Sequence, residues 1–413
     1  MTHKSIVIFG AGRIGRGFVA DLFHAAGYHL IFVDQATGLI AGLTAAGRYT
    51  VVRAVSADER HDQVIAGYQA FTTDQADEVA AAVAAADLLA VAVFPQDFPA
   101  VARHLIPGLE RRRSLRPEAA LDILLCTNLT HAATQFRARL DEALPPELAA
   151  YAAGRIGIVE TLVMRMAVDP PAEVRQREPL LVWTNGFDEL PVDRHGFKGA
   201  IPPVAGLRPV DDMRAEELRK LYTYNTCHAA LAYLGALAGH TRPVECLADP
   251  RVRAEVEGVL DEVSRALQAA CGFPAGDMAI WIERVLRQTD NPTLGDTVAR
   301  HGADPRRKLK RADRLVGPAL LARQHGIRPT HLARAIAAAF LYRNPDDPGA
   351  VYVQERVAAV GLPAAVRELC ELTAAEEDLV EMIVAAYDAT ITCGPSARIA
   401  STSAGGAPLS VTR

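Results

Sequence analysis

Ser5-Ile6-Val7-Ile8-Phe9-Gly10-Ala11-Gly12-Arg13-Ile14-Gly15-Arg16-Gly17-Phe18, running on to Leu30-Ile31-Phe32-Val33-Asp34, decides how this chain folds. The apolar run ending at Phe9 predicts a buried strand, residues 10–17 a turn, residues 18–26 a helix and residues 30–33 a second strand, which together make a βαβ unit. Gly10, Gly12 and Gly15 fit the G-x-G-x-x-G spacing. The first glycine permits a tight turn, the second lets backbone approach a pyrophosphate, and the third allows the helix to pack closely on the strand. Arg13 and Ile14 fall in the turn leading into the helix, whose N-terminal N–H groups and partial positive charge attract phosphate. Asp34 stands 19 residues beyond Gly15, at the end of the second strand, where a carboxylate accepts hydrogen bonds from a ribose 2′-hydroxyl and repels a 2′-phosphate. NAD is therefore the expected cofactor rather than NADP, and FAD is the main competing ligand.

Outward from this unit, short β-rich runs at residues 88–93, 121–126 and 156–159 alternate with Ala-rich helical stretches such as 76–86. Such alternation predicts a doubly wound parallel sheet of α/β class. Residues 49–55 and 64–72 read as an additional β pair, and residues 179–197 as β-rich connecting structure. Beyond Asp211 the period changes from strand-like to helical, with long 3.6-residue patterns over 212–238, 250–271, 275–288, 328–342 and 374–390. Asp211 or Asp212 can cap the first of these helices, and Gly239 with Pro243 can stop it. The expected organisation is a Rossmann domain with added β-rich segments over residues 1–198, a predominantly α-helical domain over 199–393, and a weakly ordered Ser/Gly/Ala-rich tail over 394–413.

Composition narrows the partners. A net charge of −5 gives no general electrostatic reason to bind nucleic acid or an acidic membrane surface. No apolar run reaches the roughly 20 residues of a spanning helix, and no signal-peptide pattern opens the chain. Six cysteines without a C-x-x-C pair describe neither a zinc ribbon nor a disulfide framework. A cytoplasmic, small-molecule enzyme, monomeric or a small homo-oligomer, is expected.

The helix beginning near Asp212 carries Lys220-Leu221-Tyr222-Thr223-Tyr224-Asn225-Thr226-Cys227-His228, a K-x4-N-x2-H spacing. At α-helical geometry Lys220, His228 and Asn225 fall at about 0°, 80° and 140° around the axis, with Glu217 about 60° from Lys220, so the three project from one side of the helix and can converge on a single ligand. Oxidation of an alcohol to a ketone needs a base for the hydroxyl proton and donors for the developing alkoxide. A desolvated lysine can be that base, Asn225 and Asn128 such donors, and His228 a holder of a substrate hydroxyl. The bland alternative is a solvated Glu217–Lys220 pair with Asn225 and His228 as satisfied polar groups. A zinc-dependent alcohol dehydrogenase is disfavoured by the lack of clustered Cys and His. A non-catalytic NAD-binding regulator is the alternative from another class.

The opening Ile8 to Phe18, the Lys220 to His228 stretch, Cys126-Thr127-Asn128, Gly157-Ile158-Val159-Glu160-Thr161, Asn291-Pro292-Thr293-Leu294, Arg307-Lys308-Leu309 and Asp313-Arg314-Leu315 together resemble the long-chain mannitol dehydrogenase family, particularly its mannitol-1-phosphate 5-dehydrogenase branch. The similarity spans residues 6–348. It implies an NAD-dependent, metal-independent polyol or polyol phosphate dehydrogenase, with Lys220 as base, Asn128 and Asn225 as the oxyanion site, His228 on the substrate and Glu217 on the proton's path. The run from Arg306 to Arg314 offers a phosphate clamp, with Arg307, Lys308 and Arg314 as its members. Against that stands the commoner solvated basic face. Asn185 stands where the family has an acidic residue, which implies an altered substrate pocket and leaves a hexuronate, a cyclitol or another hydroxylated metabolite as alternatives.

Overall fold

The computed structural model describes residues 4–392, so Cys393 and the tail 394–413 lie outside the described residues. Twelve strands occur among these: β1 Ser5–Phe9, β2 His29–Asp34, β3 Arg48–Ala54, β4 Arg60–Ala66, β5 Gln69–Thr72, β6 Leu88–Val91, β7 Leu121–Leu125, β8 Ile156–Glu160, β9 Ala167–Val168, β10 Val182–Asn185, β11 Leu190–Asp193 and β12 Leu207–Val210. Packing divides the chain into two compact units, residues 1–217 and 218–413.

In the first unit, β5-β2-β1-β6-β7-β8 form one wholly parallel sheet. This is the order of a dinucleotide-binding sheet, with its topological switch between β1 and β6. Strand β1 explains why the sequence reads as a continuous apolar run: Ile6 and Ile8 enter one core with Phe18, Phe23 and Phe32, while Val7 and Phe9 enter the opposite core with Val83 and Val101. Both faces of a parallel sheet are covered, so period-2 alternation disappears from the sequence.

The extra β structure differs from its sequence reading. Residues 64–72 are not one strand: Gly67, at φ +70°, turns the chain, ending β4 and releasing β5 into the main sheet beside β2. The expected pairing with residues 49–55 is made by β4 alone, antiparallel to β3. Residues 179–197 likewise split, β10 joining β3 in a second sheet of order β4-β3-β10-β9 and β11 pairing in parallel with β12. That last pair carries the first unit past residue 198, the boundary read from the sequence.

The second unit has no strand among its described residues. Its longest helix, Pro250–Cys271, shows how it is built. Asp249 accepts a hydrogen bond from the Arg251 N–H at 2.9 Å, Val252, Val256, Val259, Val263 and Leu267 form a buried stripe at helical spacing, and Gly272 at φ +73° ends it. No helix of the described residues is long and apolar enough to cross a membrane.

Candidate functional site

The glycine turn sits at the carboxyl edge of the parallel sheet, at its topological switch. Gly10 takes φ +98°, and a Cβ there would stand 2.6 Å from the Ala92 carbonyl oxygen, just after β6. The helix starts at Arg13, earlier than the sequence reading placed it, so Gly15 and Gly17 are helical rather than part of the turn. They are glycines for packing: a Cβ on Gly15 would overlap the Gly10 carbonyl, and one on Gly17 would lie 2.5 Å from a Val182 methyl. Gly12 differs from all three, since nothing lies within 4 Å of where its Cβ would be. That open face is the space a pyrophosphate needs.

Asp34 holds this turn together. Its carboxylate accepts from Ala11 N–H at 2.7 Å and from Ala36 N–H at 2.8 Å, leaving lone pairs on both oxygens for a further donor. Beside it opens a cavity of about 240 Å³ whose walls include Gly10, Gly12, Asp34, Phe94, Asp97 and His104. Phe94 is 72% exposed there, and burial pushes the His104 imidazole below its usual range. The other two expected cofactor residues have protein partners: Arg13 pairs with Asp169 at the surface, and Ile14 packs on the sheet core. Glycine turn, open Gly12 face and cavity-lining carboxylate fit a dinucleotide.

Asn128 is exposed, just beyond the end of β7. The neighbouring strand β8 ends in Glu160, whose carboxylate accepts from Ala132 N–H at 2.7 Å and Ala133 N–H at 3.2 Å. It thereby caps the helix Ala132–Ala143, where the helix dipole favours a negative charge. The Cys126-Thr127-Asn128 and Gly157 to Thr161 stretches are thus neighbours on adjacent parallel strands. Half-buried Glu217 lies within reach of the same charges: burial, then the Glu160 carboxylate, raise its carboxyl, opposed by Arg214 and His131. Asn185 has another role. Fully buried at the end of β10, its side-chain oxygen accepts from Met166 N–H at 3.0 Å and fastens β9 to β10.

In the second unit the α-helical geometry assumed from the sequence is corrected. Residues Lys220–Asn225 form a π turn, continuing as the α-helix Thr226–Leu237. A π turn bonds i to i+5 and advances about 80° per residue, so residues five apart lie nearly above one another. Lys220 and Asn225 are five apart. Their separation around the axis falls from about 140° to about 40°, and His228 follows within the same arc. The wider turn is braced from outside: Trp281 Nε1 donates to Thr223 Oγ1 at 2.7 Å, and the Arg219 guanidinium lies 4.2 Å over the Trp281 ring.

The half-buried His228 ring has two ring neighbours, Tyr224 at 4.3 Å and His301 at 4.1 Å, the latter stacked at 17°. Burial, then His301, Arg314, Arg300 and Lys308, hold its imidazole well below the usual histidine range, hence neutral near pH 7. Lys308 is buried, donates to the Ala303 carbonyl, and is lowered to about 8 by burial and by Arg314 and Arg307. Arg314 donates to Asp313 at 2.7 Å. Arg307 is half exposed and shared between Asp304 and Asp313 at 3.4 and 3.1 Å. In the rest of the basic run Arg306 and Lys310 are exposed, Arg306 covering the Tyr352 ring at 3.9 Å, and Arg311 pairs with Glu376 at 2.6 Å. Of the three clamp candidates, Lys308 and Arg314 are thus the two whose charges His228 feels. Sequence reasoning missed Asp296 and His301, although both lie within the Asn291 to Leu315 segment that carries part of the resemblance.

Comparison with known proteins follows the same division. The model of the mannitol dehydrogenase Rossmann domain matches residues 4–206, and that of the mannitol dehydrogenase C-terminal domain matches residues 212–390. Among solved structures, D-sorbitol dehydrogenase in substrate-free form superposes with a TM-score of 0.81 at 16% identity, covering 96% of this chain and 95% of that one. Pseudomonas fluorescens mannitol 2-dehydrogenase, in a ternary complex with NAD and D-mannitol, superposes with a TM-score of 0.65 at 17% identity, covering 96% and 94%. At such identities the likeness is one of fold.

Proposed function

The chain belongs to the mannitol dehydrogenase family, and from that premise we propose that it is an NAD-dependent, metal-independent oxidoreductase interconverting a secondary alcohol and a ketone on a polyol or polyol phosphate. The observation that carries this reading is the π turn Lys220–Asn225, which brings a lysine and an asparagine five residues apart onto one arc with His228. A base and an amide donor so aligned are what alcohol oxidation requires.

Gly10, Gly12, Gly15 and Asp34 hold NAD, with Asp34 accepting from the adenosine ribose. When bound, it supplies the hydride acceptor. Lys220 takes the proton of the substrate hydroxyl, and Asn128 and Asn225 donate amide N–H groups to the oxygen as negative charge grows on it. His228, kept neutral, holds a neighbouring hydroxyl. Glu217, whose carboxyl is raised towards neutrality, passes the proton onward from Lys220. Lys308 and Arg314 face a phosphate on the substrate, and Arg307 plays at most an auxiliary part. Support for a phosphorylated substrate comes from the cationic surroundings of His228.

The test is cofactor reduction over a panel of alditols, alditol phosphates, aldonates and cyclitols, with NAD and NADP in parallel. Turnover of a polyol or polyol phosphate with NAD is expected. NAD binding without turnover of any member, in either direction, would favour a non-catalytic NAD-binding regulator.

A further inference from the structure

The His228 ring has a stacked neighbour, and that neighbour is itself fastened. His301 lies on the short helix Val298–Gly302, its side chain 7% exposed, with its ring 4.1 Å from that of His228 and tilted by only 17°. On its far edge, His301 Nε2 meets the Asp296 carboxylate at 3.3 Å, and Asp296, 8% exposed, also pairs with Arg300 one helical turn on. Thr297 caps this helix by accepting from Arg300 N–H at 3.1 Å, so the segment holding both residues is fixed at its start. An imidazole that donates from Nε2 to a carboxylate has its ring plane set by that bond, as in other carboxylate–histidine pairs. A ring stacked nearly parallel on it inherits the plane.

We propose that His301, oriented by Asp296, is a positioning residue that fixes the plane of the His228 imidazole, and so the direction in which its nitrogens meet a substrate hydroxyl. This rests on the reading of His228 as a substrate-binding residue. Tyr224, at 4.3 Å and 56°, is a second ring in contact with His228 and further limits its freedom to turn. The arrangement has an electrostatic consequence. His301, Arg300, Arg314 and Lys308 all oppose a positive charge on His228, and His301 is the largest of these charge effects. Removing the His301 imidazole therefore raises the pH at which His228 takes up a proton.

The experiment uses the full-length chain with histidines labelled for NMR, the His228 signal being assigned from its loss in His228→Gln. His301→Leu removes both stack and charge. His301→Phe keeps a flat ring of similar size, so it preserves the packing and the stack while losing the charge and the Asp296 bond. Titration of His228 should move to higher pH in both variants, by about half a unit or more. With D-mannitol 1-phosphate, or with D-mannitol where that is the substrate turned over, His301→Leu should raise KM about three- to tenfold at nearly unchanged kcat, and His301→Phe, which keeps the stacked ring but not the Asp296 bond that orients it, should recover part of that loss. The proposal is overturned if His228 titrates as in the wild type in both variants, or if Leu and Phe raise KM equally. The underlying reading fails separately, when His228→Ala leaves KM unchanged, and in that case the titration of His228 still reports on the stack.

Discussion

The glycine-turn helix and the Lys220 helix share a feature and differ in how it came to be readable. Each carries a π turn at the residues that matter, Gly15–Val19 in one and Lys220–Asn225 in the other. In the first the work is done by backbone, and backbone demands leave a trace: Gly10 at a positive φ, Gly15 under a carbonyl, Gly12 facing open space. The second works through side chains, and a π turn has no such residue code. Lys220, Asn225 and His228 stand in the sequence at a spacing that an α-helix spreads over about 140° of one side, and the altered winding narrows that arc. Sites built from backbone thus leave a residue code of their own, whereas a site built from side chains is read only as a spacing whose final geometry depends on the winding.

If the arc is catalytic, substitutions on it should affect rate far more than cofactor binding. Lys220→Ala should lower kcat by about 10²–10⁴-fold while NAD binds as before, measured by steady-state kinetics and calorimetry. Asn225→Ala should follow with a loss of about 10²–10³-fold in kcat. On the other helix the order should reverse. Asp34→Ala removes the acceptor for Ala11 and Ala36 N–H and should weaken NAD roughly tenfold or more in Kd, with kcat at saturating NAD little changed.

A smaller effect is expected from pH. Lys308 titrates at about 8, lowered by burial, and a bound phosphate favours its charged form. Affinity for a phosphorylated substrate should be full below that pH and decline as pH rises through it. KM for D-mannitol 1-phosphate should climb on the alkaline side while KM for D-mannitol does not, and parallel curves would remove Lys308 from phosphate recognition. The smallest expected effect is none at all, in that incubation with a chelator should leave the rate unchanged, whereas loss restored by a divalent ion would end the metal-independent mechanism.

The parallel sheet could be read from the sequence because its signals are local, namely apolar runs such as Ile6 to Phe9 and helices between them. Element ends were less legible. The turn reads in the sequence as running to Gly17, whereas both Gly15, whose part in close packing is legible from the motif, and Gly17, which packs on Val182 of β10, already lie in the helix. Gly67 broke what looked like a single strand, since the destinations of β4 and β5 in different sheets depend on long-range pairing. Asp296 and His301 were invisible for the same reason. Five residues apart on a chain rich in charge, they acquire meaning only when a ring from another helix is found stacked upon one of them.

The most direct test of the central claim compares wild type and Lys220→Ala on the same panel of polyols and polyol phosphates, with NAD affinity measured on the same samples. Turnover of one substrate class by the wild type, abolished in the variant at unchanged NAD affinity, is the predicted result. Turnover that survives in Lys220→Ala would contradict it and take the role of base away from this helix.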